Sequence, residues 1–176
     1  MSDILKHVVV GDLIGEQTHY FNLPDRVKGG LSFAGGFASH IILDLIDIDY
    51  TVNWFNPLHL RAARPFVLAQ VAGILIVLHL ALRHRMTNAR QSNLRLLAIA
   101  GSVAPDIIDG IYSLLNPEVW YTGQLLFPWH RTRGHMFRTG MWPTLGGTLM
   151  IMFLRYCIPP IYRKIKKWSS RLEMLQ

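Results

Sequence analysis

Charge is scarce in this chain: charged residues make up 16% of it, against 51% hydrophobic residues. That is too little to solvate the surface of a water-soluble domain of packed helices. Cysteine is scarcer still. The single Cys157 excludes an internal disulfide, and its place in an apolar run predicts a buried, inert thiol. No serine- or glycine-rich linker, low-complexity tract or internal repeat divides the sequence, so one membrane domain is expected over 1–176, with a basic amphipathic tail at 163–176. The opening MSDILKHVVVGDLIGEQTHYF lacks an uninterrupted apolar core and a small-residue cleavage site. A signal peptide is not expected, and the segment should stay on the mature chain. Acidic residues are in deficit, giving a net charge of +7. The basic residues border apolar segments, with Arg83, Arg85, Arg90 and Arg95 in one group and Arg163, Lys164, Lys166 and Lys167 in another. That placement favours membrane orientation and predicts no nucleic-acid partner.

What is present is apolar length. Phe66 to Leu82 carries no formal charge and is the clearest span, although it sits at the short end of the roughly 17–25 residues a crossing helix needs. Leu94 to Leu115 is a second candidate. Thr139 to Tyr162 is a third, interrupted by Pro143, Gly146–Gly147, Arg155 and Pro159–Pro160. Leu31 to Tyr50 is a fourth, with glycines and alanines at its start that permit close helix packing. The expected fold is therefore all-α, a polytopic helical membrane bundle of about four transmembrane helices, with the lipid bilayer as partner. A soluble bundle with one fully buried apolar helix is the alternative. Four crossings put both termini on one side with the 83–95 loop, and the positive-inside rule makes that side the cytoplasm of a cell inner membrane. Pro57 and the RAAR at Arg61 to Arg64 read as an interfacial turn. His79 reads as a hydrogen-bonded packing residue, and His7, His59 and His84 as bland flanking histidines.

The polar residues inside these runs carry the chemistry. On a helix His40 and Asp44 lie one turn apart on one face, a spacing that serves metal ligation as well as an ordinary hydrogen bond. Asp106 and Asp109 also share a face. Ionisable groups in a span cost roughly 2.5–3.5 kcal/mol each on insertion scales, so they mark a site by default. No lysine or arginine lies between Arg95 and Arg131 to pair with them, so holding a cation is the favoured use. HRTRGH, His130 to His135, reads as a turn into the last span. Histidines and carboxylates without cysteine suit a divalent metal ion, zinc or manganese first. Asp106 is expected on the metal and Asp109 as base. Arg131 and Arg133 are expected to clamp an anionic small-molecule or lipid substrate.

PDIID at Pro105 to Asp109, HRTRGH at His130 to His135 and SHIILD at Ser39 to Asp44 together resemble the membrane-bound metal-dependent hydrolase family, which includes the LexA-regulated inner-membrane hydrolases. In that family the SHxxxD motif follows the HRG segment, whereas here it comes first. The resemblance implies that His40, Asp44, Asp106, Asp109, His130 and His135 are metal ligands or catalytic groups. It also implies that His19, in GEQTHYF, is the family's early histidine and a further ligand. Metal-assisted hydrolysis of a phosphoester or lipid-derived substrate is the expected activity. A transporter or assembly subunit that uses intramembrane acids is the alternative. A CDP-alcohol phosphotransferase fits less well, because DxxDG at Asp106 to Gly110 is followed by no further aspartate.

Overall fold

The structure, a computed structural model, describes residues 4–46, 57–83, 88–116, 118, 126–127 and 141–161. Its regular structure is helical throughout, as expected, with no strand among the described residues. The helices are α1 (Ile4–His19), α2 (Asp25–Ile46), α3 (Pro57–Arg83), α4 (Ala89–Leu115) and α5 (Met141–Met152), and a π-helical turn, Phe153–Cys157, continues α5. The first of these is new, because the scattered charges of residues 4–19 hide a helix from a search for apolar runs. Its buried stripe, Leu5, Val8, Val9, Asp12 and Gly15, has helical spacing.

α1 and α3 run one way, and α2 and α4 run the other. Gly15 lies against Arg95 and Gly11 against Ser102, so α1 is antiparallel to α4. Asp25 pairs with Arg90 at one end and His40 reaches Ser102 further along, so α2 runs parallel to α4. Close approach depends on glycine at the α2–α4 seam. A Cβ on Gly36 would run into Ala98 O, and one on Gly101 into Phe33 O, so the backbones touch where larger residues would hold them apart.

The two seams of α1 differ. Towards α3 and α4 it packs an apolar cluster of Leu5, Val8, Val9, Val77, Ala81 and Ile99, with Met152 and Tyr156 against it. Towards α2 and α4 it sets Gly11 against Ser102, Gly15 against Arg95 and His7 beside Asp44. Side chains from neighbouring helices satisfy helix ends here: Gln70 Oε1 accepts from Leu5 N at 2.9 Å, and Ser92 Oγ donates to Ala81 O at 2.8 Å.

Several expectations change. The 83–95 segment is not all loop: Asn88 caps α4 by accepting from Gln91 N, and Arg95 is a buried helical residue. Arg61 to Arg64 belongs to α3 and forms no turn. Cys157 and His79 face outward instead of packing inside. The last helix runs on through its prolines and glycines, with the π turn taking up the irregularity. Its Tyr156 and Arg155 reach Asp12 and Glu16, while Met152 lies against the Leu5 cluster, so it runs with α1. Ile4 and Ile161 therefore sit at opposite ends of the bundle, because α1 adds a helix ahead of the four expected ones. Among the described residues, the Arg64–Arg83 segment alone is long and apolar enough to cross a membrane by length and composition.

Candidate metal centre

The antiparallel α1–α2 hairpin sets the start of α1 beside the end of α2, and three residues meet there. Asp44 bridges two histidines: Oδ1 lies 3.2 Å from His7 Nε2, and Oδ2 lies 3.0 Å from His40 Nε2. The two imidazoles stack at 4.1 Å between centroids with 25° between planes. All three side chains are at most 2% exposed, and their ligand atoms lie within 4.8 Å of one another. This set could hold a metal ion.

α4 contributes the orienting contact. His40 Nδ1 lies 2.6 Å from Ser102 O, and a carbonyl can only accept, so Nδ1 carries the proton. A neutral imidazole then presents its Nε2 lone pair to a carboxylate oxygen at 3.0 Å. Two lone pairs at that distance repel, so either a shared proton or a metal ion belongs between them. A histidine whose far nitrogen is held by a carbonyl is the usual support of a metal ligand.

His40 and Asp44 thus come together as their spacing suggested, joined by His7, which the sequence reading left as a bland histidine. His19 does not join them. It stands twelve residues along α1 from His7, roughly 18 Å at the helical rise; its carbonyl accepts from Lys28 Nζ at 2.8 Å, and its ring meets Tyr20 edge-on. Asp106 and Asp109 are buried on α4, each 4% exposed, at the same end of the bundle as the cluster but outside it. Asp109 Oδ1 accepts from Leu126 N at 2.8 Å and Phe127 N at 3.2 Å. His130, Arg131, Arg133 and His135 lie outside the described residues.

A second polar cluster fills the middle of the α1–α4 seam. Asp12, fully buried, accepts from Arg95 Nε at 2.5 Å and from Tyr156 Oη at 2.7 Å. Arg155 pairs with Glu16 and lies 3.6 Å from Asp12. Two carboxylates face two guanidiniums, so the cluster is electrically balanced and serves to join helices. The small residues Gly11 and Gly15, four apart on the α1 stripe that carries Asp12, were the local signal that this helix packs inside.

Compared with family models, curated proteins and solved structures, the chain matches none, so its function is argued from this geometry.

Proposed function

We propose that this chain is a membrane-embedded metal-dependent hydrolase whose metal centre is built from His7, His40 and Asp44. The observation that carries the reading is the bridging carboxylate between two buried imidazoles, one of them oriented by Ser102 O. Three protein ligands leave a coordination position open, as in catalytic sites, and a two-histidine, one-carboxylate set suits zinc, manganese or iron. When bound, such an ion activates water and polarises a phosphoryl or carbonyl oxygen. In this reading Asp106, one turn beyond Ser102 on α4, accepts the proton. Arg131 and Arg133 contact an anionic substrate through paired guanidinium hydrogen bonds. The likeness of PDIID, SHIILD and HRTRGH to the membrane-bound metal-dependent hydrolases supports the same class.

The distribution of side chains supports a bilayer setting. Leu68, Leu75, Ile107, Ile111, Leu114 and Met150 are each more than half exposed, while His7, Asp12, Ser32, His40, Ser92 and Ser102 are fully buried. Water favours the reverse. α2 and α4 score poorly as spans because their polar residues point inward. At 22 and 27 residues they are about 33 and 40 Å long, enough for a hydrocarbon layer of about 30 Å. With the basic end holding Arg83 and Arg90 in the cytoplasm, the metal centre and the start of α1 lie on the outer side of the inner membrane.

A second reading is a metal-free component that handles protons. A proton shared between Asp44 and a neighbouring ring would satisfy the same contacts without a metal. Elemental analysis of detergent-purified protein separates the two. About one equivalent of a transition metal, with phosphoesterase activity that chelation abolishes, is the expected result. Metal-free, active protein would end the hydrolase reading.

A further inference from the structure

Asp109 is a natural choice for the catalytic base, but its surroundings suit a different task. Its Oδ1 accepts two backbone N–H groups from residues 17 and 18 positions further along the chain. Both lone pairs of that oxygen are thereby committed to the backbone. The same turn is held a second time, by a ring. Phe127 meets Phe37 edge-on at 6.2 Å, with 79° between planes, and Phe37 stands three residues before His40 on α2. One tether comes from α4 and the other from α2, and both hold the 126–127 turn at the end of the bundle where His7, His40 and Asp44 meet. Phe127 is three residues ahead of His130 in the chain, so this turn is the point from which the chain leads into HRTRGH.

We propose that Asp109 is a positioning residue: its carboxylate clamps the 126–127 turn onto the end of the bundle where His7, His40 and Asp44 meet. The clamp does not rest on the hydrolase reading, whereas calling that end a metal site does. The chemistry separates a clamp from a base or ligand. An amide oxygen accepts two N–H bonds much as a carboxylate oxygen does, so asparagine can serve as the clamp. It can serve neither as proton acceptor nor as anionic ligand.

The test uses the full chain in detergent with Cys157→Ser, Phe37→Cys and Phe127→Cys, bridged by a short bifunctional thiol reagent. Removing both rings takes away the aromatic contact and puts the carboxylate under test. Asp109→Asn is expected to keep the cross-linking yield near that of the parent. Asp109→Ala is expected to lower it about tenfold, the size of a lost hydrogen bond to a charged acceptor. Both variants should keep the parent's metal content. Should Asp109→Ala fail to fold, Asp109→Ser, whose hydroxyl is too short to reach both N–H groups, takes its place with the same expected loss. Undiminished cross-linking in the alanine or serine variant overturns the proposal. So does an asparagine variant that fails as badly as alanine, or loss of metal from both variants with cross-linking intact. A parent protein without metal would end the hydrolase reading and leave the cross-linking comparison valid.

Discussion

At the scale of single residues, the buried carboxylates divide by partner. Asp44 faces two imidazoles, Asp109 two backbone amides and Asp12 a guanidinium and a phenol. Each partner implies a different response to substitution. His7→Ala should lose metal as completely as His40→Ala or Asp44→Ala, since each removes a proposed ligand, whereas His19→Ala should retain it. Metal-to-protein ratios of the four purified variants decide the point, and metal lost from His19→Ala alone would move the centre elsewhere. Asp12→Ala strands Arg95, 3% exposed, without its carboxylate. Breaking one side of a buried pair costs about 3–5 kcal/mol, and replacing both sides with leucine should recover most of it. Unfolding midpoints in detergent measure both. Two of the three residues of the proposed metal site were legible in the sequence, because His40 and Asp44 are one helical turn apart and helical spacing is a local property. His7 was not legible. It meets them only through a hairpin, and nothing near position 7 records which face of α1 will meet α2.

At the scale of helices, what could be read was what apolar length reveals. Phe66 to Leu82 falls inside α3, Leu94 to Leu115 inside α4, and Leu31 to Ile46 inside α2. α1 escaped because its charges are neutralised by partners distant in sequence. The basic residues of the 83–95 segment were counted together, although Arg95 belongs to the interior. Glycine at the α2–α4 seam gives a direct test of this packing. Gly36→Val drives a side chain into Ala98 O and should destabilise the bundle by at least the 1–3 kcal/mol typical of overpacking. Gly30, on the same helix with open space around its missing Cβ, should behave in the opposite way. Gly30→Ala is expected to stabilise by about 0.5–1 kcal/mol through helix propensity alone. Thermal melts of the two variants should move in opposite directions, and similar losses in both would contradict the seam.

At the scale of the molecule, the arrangement of ends gives the proposed bilayer setting a direct test. The 20–23 turn and the Arg90 end of α4 share one end of the bundle, and Asn116 lies at the other. In the proposed bilayer setting, cysteines introduced at Asn22 and Asn116 should label from opposite faces of the membrane, Asn22 from the cytoplasm. Labelling of both from one face would mean that the bundle does not cross. A tag ahead of Ile4 should be accessible from the outer face and one on the tail from the inner.

The Asp12 cluster also bears on how the protein is made. Arg95 lies 83 residues beyond Asp12 in the chain, and Tyr156 lies 144 beyond. At about 5–20 residues per second of synthesis, the N-terminal carboxylate waits roughly 4–17 s for its guanidinium and roughly 7–29 s for its phenol. During that interval α1 has no neutralising partner and is poorly suited to hydrocarbon on its own. Of the described helices α1 must therefore be among the last to settle, and a nascent chain halted before Arg95 would leave α1 as the part most open to a quality-control protease.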